Sequence, residues 1–197
     1  LFVEKPIVTE PKKLSELIKL AKKKNKILMG GYIYLYNSYI KKIKKIIQNN
    51  ELGNIKYVEI QRKNLGPIRN EIDSHLDLGS HDLSILKFLF NKKINLKNFI
   101  KHDILRSNSG DIITANFEVK NIPIDISVSW LNPEKVRKIT IITNKKMILF
   151  DEMNLNKPIQ IFDNYANYPK LSKFTKNYFS KKAFVYKGKS KYVKLKD

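Results

Sequence analysis

The sequence predicts an α+β (α/β) domain: an open, mainly antiparallel β-sheet with helices packed on one face. Two observations carry this expectation. In the first half, apolar residues recur at helical spacing in two segments and crowd several faces of a third; in the second, they alternate with polar residues in strand-length runs joined by short polar turns. A run of consecutive hairpins makes an antiparallel sheet, and helices earlier in the chain are placed to cover one of its faces.

Composition bounds the possibilities. The 197 residues are 42% hydrophobic and 11% aromatic, too apolar for a disordered polycation. With no cysteine and only 3 histidines, disulfide scaffolds and thiolate metal sites are excluded and little is left for zinc. No apolar run reaches the roughly 18 to 20 residues of a membrane span, so the chain reads as soluble and cytoplasmic. Lys+Arg 39 against Asp+Glu 18 gives a formal charge of +21, which invites a nucleic-acid reading. Yet the lysines spread along the whole chain and outnumber arginines, with Ile and Asn abundant, the mark of AT-rich codon usage. No basic motif with interleaved base-stacking aromatics stands out, which argues against nucleic acid.

The elements follow in order. Leu1-Phe2-Val3 has the character of a strand end entering a Glu4-Lys5-Pro6 turn, so the strand is expected to begin before Leu1 and the chain to be a fragment. A helix follows, with Thr9 as N-cap, Glu10 and Pro11 in its first turn, and Leu14, Leu17, Ile18 and Ala21 on one face. Ile27 to Tyr36 reads as a strand interrupted by Gly30-Gly31. From about Asn37 to Asn50 a second helix turns Ile40, Ile43, Ile46 and Ile47 inward and its lysines outward, and Gly53 stops it. Ile55 to Leu65 is a strand broken by Gly66-Pro67. The aperiodic stretch from Pro67 to Gly79 is where a site is expected, because functional side chains concentrate on loops held by a scaffold. Ser80-His81-Asp82 then opens a buried helix. Ile113 to Val119 and Ile124 to Trp130 form one hairpin, Arg137 to Thr143 and Met147 to Phe150 a second, and Ile159 to Phe162 a short strand. A last hairpin is expected around Gly188.

Three features rise above this background: Glu4-Lys5-Pro6 after a strand end, Tyr34-Leu35-Tyr36-Asn37 at a strand-to-helix junction, and Asp77-Leu78-Gly79-Ser80-His81-Asp82 at a helix start. Lys5, restricted to extended backbone by Pro6, sits where open α/β sheets bind ligands and can donate to a substrate hydroxyl or a ribose. His81 at a helix N-terminus is kept neutral by the helix dipole, as a general base requires, and Asp77 is placed to orient it or to bind a hydroxyl. Asp82 is expected to complement the helix N-terminus, and His75 and His102 to be ordinary loop or strand residues. The spacing matches no common metal motif, and no Gly-x-Ser-x-Gly elbow is present, so neither a metal site nor a serine nucleophile is expected.

With these motifs in place, the sequence resembles the Gfo/Idh/MocA family of NAD(P)-dependent oxidoreductases. The resemblance runs through Phe2-Val3-Glu4-Lys5-Pro6, Leu20-Ala21-Lys22, Gly30-Gly31-Tyr32-Ile33-Tyr34-Leu35-Tyr36-Asn37, Glu51-Leu52-Gly53-Asn54-Ile55, Asn64-Leu65-Gly66-Pro67-Ile68-Arg69 and Asp77-Leu78-Gly79-Ser80-His81-Asp82. It looks most like members acting in nucleotide-sugar or surface-polysaccharide pathways. The resemblance implies that Lys5, Asp77 and His81 are catalytic, that Glu4, Lys5 and Pro6 touch the NAD or NADP cofactor, and that Tyr36, Asn37, Asn64 and Arg69 line a sugar or nucleotide-sugar site. It further implies residues 1–8 as the end of a missing Rossmann domain, 9–197 as a substrate-binding and oligomerisation domain, and a homo-oligomer formed through the open sheet face. Two departures stand out: Gly31 replaces the histidine of many relatives, and no Gly-x-Gly-x-x-Gly loop occurs, so these residues alone are expected to hold a dinucleotide poorly and to be inactive. The alternative is a non-catalytic sugar-binding remnant or a basic nucleic-acid-associated module.

Overall fold

The computed structural model describes residues 1–167 and 183–195. Two sheets organise the chain. β1 (Phe2–Val3) and β2 (Met29–Gly30) pair in parallel, Phe2 opposite Met29 and Val3 opposite Gly30, across helix α1 (Pro11–Lys23). This is a small βαβ unit. Pro11 opens α1 at its first position, where a missing N–H costs nothing, and Glu10 rather than Thr9 precedes it as the capping residue.

The chain does not continue as a strand to Tyr36. Past Gly30 the backbone bonds Tyr32 to Gly30, Ile33 to Gly31 and Leu35 to Tyr32, closing into a 3-10 turn over Ile33–Tyr36. That turn delivers the chain to α2 (Ser38–Gln48), whose N-terminus is capped by Asn37: its Oδ1 accepts from the backbone N–H of Tyr39 at 2.9 Å and of Ile40 at 3.1 Å. The isoleucine stripe falls as its spacing predicts, with Ile40, Ile43 and Ile46 buried.

Among the described residues the larger sheet has eight strands: β3 (Ile55–Lys63), β4 (Asn95–His102), β5 (Ile112–Val119), β6 (Ile122–Ser129), β7 (Val136–Thr143), β8 (Met147–Asp151), β9 (Ile159–Asn167) and β10 (Phe184–Tyr192). Their order across the sheet is β10-β9-β8-β7-β3-β6-β5-β4, antiparallel except for the parallel pair β3–β6. The fold class expected from the sequence is the one observed. Strand alternation puts Val58 and Ile60, Ala115 and Phe117, Ile124 and Ile126, Ile139 and Ile141, and Ile148 and Phe150 on one face, where α2 and α3 (Ser80–Phe90) close the core through Ile43, Ile85 and Leu86. Among the described residues only these two helices cover the sheet. α1, expected as a third, contributes no residue to that core and has no buried residue.

Two further differences have local causes. β4 escapes the sequence reading because Asn95–His102 sits at the sheet edge with seven of its eight residues exposed, so its apolar residues do not alternate. The hairpin expected at Gly188 is instead a bulge within the single strand β10: pairing with β9 shifts between Lys187 and Ser190, the Gly188 N–H bonds Asn164 Oδ1 at 3.1 Å, and a Cβ there would lie 2.7 Å from the Asp163 carbonyl. Residues 168–182 and 196–197 of the expected substrate domain lie outside the described residues.

Candidate active site

The helix that carries the Asp77 motif does not begin at Ser80. A π-turn over His75–Gly79 runs straight into α3, with Gly79 itself in right-handed helical geometry. Such one-turn π insertions recur at functional sites. His81 therefore lies inside a continuous helical stretch, and the helix-terminus explanation for its neutrality is replaced by another.

Lys5 reaches this turn from the end of β1. Its ammonium donates to both the backbone carbonyl and the carboxylate of Asp77, Nζ lying 3.0 Å from Oδ1. Arg69 Nε approaches the same oxygen at 3.2 Å, and the indole Nε1 of Trp130, fully buried at the end of β6, donates to Oδ2 at 3.1 Å. Burial alone would push the Asp77 carboxyl up, but the hydrogen bonds and charges of Lys5, Trp130 and Arg69 outweigh it and hold the group below its ordinary value. Asp77 is thus a fixed anion whose two oxygens are both occupied.

His81 stands beside this cluster with its ring edge-on to Tyr34, centroids 5.1 Å apart. Burial, then the positive charges of Lys5 and Arg62, push its pKa down to about 3. The imidazole is neutral at any ordinary pH, and its buried Nδ1 has no hydrogen-bond partner among the described residues.

Behind His81 lies a buried polar chain. Arg62, 5% exposed, donates through Nε to Asp82 Oδ1 at 2.8 Å and places Nη2 2.7 Å from the same oxygen; Asp82 is 0% exposed. Asp82 is therefore the buried partner of Arg62, not a helix-terminus group. Burial raises the Asp82 carboxyl, whereas Asp82 more than offsets the desolvation of Arg62 and raises the guanidinium; we assign a charged pair, since arginine keeps its proton. Arg62 Nη1 donates to the Tyr34 hydroxyl at 2.7 Å, and that hydroxyl donates to Glu152 Oε2 at 2.9 Å.

The remaining expected site residues divide. Arg69 joins the Lys5–Asp77–His81 cluster. Glu4 lies against Gly31, where a Cβ would sit 3.2 Å from its carboxylate, so the glycine leaves room for this acid. Lys5 and Pro6 are joined by a cis peptide bond. Asn64 accepts from Arg137 Nη2 at 2.6 Å and is held at the end of β3. Asn37 spends its side-chain oxygen on the α2 cap, and Tyr36, 62% exposed, lies under the Lys41 ammonium 5.6 Å from its ring centroid. His75, expected as an ordinary loop residue, stacks on Phe117 from within the π-turn, centroids 5.9 Å apart.

Trp130 and Arg62 were not among the residues the sequence pointed to. A signal existed for Arg62: it shares the inward parity of Val58 and Ile60 in β3, and a charge at a core position demands a buried partner. Trp130 follows Ile124, Ile126 and Val128 on one face and looks merely apolar in sequence. Among the described residues no group of three or more His, Cys, Asp or Glu could hold a metal ion, and no helix is long and apolar enough to cross a membrane.

No protein-family model matches the chain, and no curated protein matches it. Solved structures do match. UDP-N-acetylglucosamine 3-dehydrogenase GnnA from Acidithiobacillus ferrooxidans aligns over 100% of this chain and 56% of its own at TM-score 0.69 and 18% identity. The WlbA dehydrogenase from Chromobacterium violaceum, solved with NADH and UDP-GlcNAcA, aligns over 79% of this chain and 50% of its own at TM-score 0.69 and 19% identity. A dehydrogenase (MviM) from Clostridium difficile aligns over 95% and 55% at TM-score 0.62 and 20% identity. The chain has the fold of the C-terminal domain of such dehydrogenases. The chain spans about half the length of the structures it matches.

Proposed function

We propose that the chain is the substrate half of an NAD(P)-dependent oxidoreductase that acts on a hydroxyl-bearing carbon of a sugar or nucleotide sugar. The observation that carries this reading is the convergence, from the turn after β1 and from the π-turn and first turn of α3, of the Lys5 side chain, a carboxylate fixed as an anion and a neutral imidazole. The βαβ unit β1-α1-β2 is read as the last unit of a doubly wound dinucleotide-binding domain, which moves the proposed domain seam from residue 8 to just after Gly30. The two neighbours whose names carry a nucleotide sugar favour that substrate class.

The residues present suit the reactive end of a dinucleotide rather than its phosphates: Glu4, Lys5 and Pro6 offer charge and hydrogen bonds, and the sequence holds no Gly-x-Gly-x-x-Gly loop. A bound nicotinamide supplies the hydride acceptor. Lys5, held by Asp77, keeps one N–H direction for the substrate oxygen and favours the negative charge that develops there. His81 takes the hydroxyl proton as the carbon–hydrogen bond breaks and the carbonyl forms. Burial and the neighbouring positive charges keep the ring in the neutral form that a base requires. Asp77 is a positioning residue with no vacant oxygen. Tyr36, Asn37, Asn64 and Arg69 are proposed around the sugar, and of these Arg69 has the support of its contact with Asp77. Pairing of the open sheet face, which carries Tyr57, Thr140 and Leu149, with a second copy is part of the same reading.

Titrating UDP-N-acetylglucosamine into the chain while following the His81 ring protons by NMR tests the site. The expected result is a saturable shift that Lys5→Met removes. With a dinucleotide-binding domain fused before Leu1, NAD reduction followed by absorbance is expected to fall about 10²-fold or more in His81→Asn. Binding without reduction would favour the sugar-binding remnant, and the absence of any shift would defeat the site assignment.

A further inference from the structure

We propose that the exposed edge of β4, with the cleft beside it, is a docking site for an extended partner segment that alternates acidic and apolar residues and adds to the sheet as a further strand. This does not rest on the oxidoreductase reading.

β4 ends the eight-stranded sheet. Among the described residues it pairs only with β5, so one row of its backbone N–H and C=O groups has no partner strand. A bulge shapes the edge. Pairing with β5 skips from Leu96–Phe117 to Asn98–Asn116, which leaves Lys97 as the extra residue. Leu96 and Phe99 are three apart and would face opposite sides of a regular strand; the bulge turns both to the helix side, opposite Phe117 and Ala115, with Lys101 following opposite Ile113. Together with Leu83 of α3, His75 of the π-turn and Asp73, whose Oδ1 is taken up by the Leu76 N–H, they line a cleft of about 330 Å³. Leu96 is 54% exposed and Phe99 58%.

An edge strand beside a groove with a helical far wall is the geometry of strand addition, where main-chain bonds give affinity and alternate side chains enter pockets. Charge selects the occupant. Lys92, Lys93, Lys97 and Lys101 lie within ten residues on a chain of net charge +21. Lys92 and Lys93 have no carboxylate within ion-pair distance among the described residues, and the partners of Lys97 and Lys101, Glu118 and Asp103, form surface pairs that contribute little. Pairing β4 with its own copy would gather two sets of these lysines into one ribbon, a repulsion that an acidic strand turns into attraction.

The test uses a short fluorescein-labelled peptide alternating glutamate with valine and leucine, and a scrambled peptide of the same composition. Anisotropy is expected to show the alternating peptide binding the 197-residue chain roughly tenfold tighter, a difference of about 1.4 kcal/mol. Amide exchange over Asn95–His102 should slow on binding. Because Phe99 is exposed, Phe99→Glu is expected to leave the fold intact and erase the preference, while Leu155→Glu, 83% exposed outside β4, leaves it unchanged. Equal binding of both peptides would reduce the interaction to charge and overturn the proposal. So would protection outside β4, or a dimer with β4 amides already protected before peptide is added.

Discussion

Arg62 occupies a core position in β3 between sheet and helices, and its charge is tolerated there only because Asp82 and the Tyr34 hydroxyl occupy its donors. Removing one member leaves the other charged and dry. Arg62→Met is expected to lower the free energy of unfolding by about 3–5 kcal/mol, and Arg62→Met with Asp82→Leu to recover most of that loss; urea denaturation of both variants measures it. His81 has a pH signature. Its folded pKa of about 3 lies below the ordinary 6.5, so between these values the unfolded chain binds the extra proton. The stability this ring contributes is full above about pH 6.5 and is lost as the pH falls toward about 3. His75, also lowered by burial, acts in the same direction, whereas Asp82, raised by burial, opposes it. His81→Asn should flatten part of the slope of stability against pH across that window. NMR of the native ring should show no titration step between about pH 5 and 8.

At the scale of elements, local chemistry decides where helices start and strands bend. Asn37 closes α2 by accepting two orphan N–H groups, so Asn37→Ala is expected to cost about 0.5–2 kcal/mol and Asn37→Asp to retain most of the cap. If Asn37 also meets a sugar, Asn37→Asp will weaken sugar binding while leaving the thermal midpoint nearly unchanged; the two measurements separate the roles. α2 was legible because its isoleucines keep a 3.6-residue period over an otherwise polar segment. The π-turn was not, because one extra residue per turn leaves no periodic mark in five residues. β4 was hidden for a different reason: an edge strand half out of the core is under no pressure to alternate.

The described residues divide into a βαβ unit and a two-layer body, and among them only the body has a closed core. The division predicts unequal costs of similar changes. Ile43→Ala, deleting a fully buried side chain, is expected to destabilise by about 2–5 kcal/mol, whereas Ile18→Ala in α1, 42% exposed, should change stability by no more than about 1 kcal/mol. Chemical denaturation of the two variants checks it, and a large effect at Ile18 would mean that α1 is packed against the body. Leu1, Phe2, Leu20 and Ile27 leave apolar surface on this βαβ unit, consistent with the proposal that it completes a larger sheet.

The sequence by itself determined the class of fold, the stripe of α2, the buried helix α3, the two central hairpins and the motifs bearing Lys5, Asp77 and His81, because periodicity and turn chemistry are local and survive in one dimension. Tertiary structure alone decided what those residues are. Neutrality of His81 comes from burial beside Lys5 and Arg62, residues far from it in the chain, and the anionic state of Asp77 from donors at positions 5, 69 and 130. Ion pairing and desolvation act through space over a few ångströms, and no spacing along a chain encodes which distant side chains will share them.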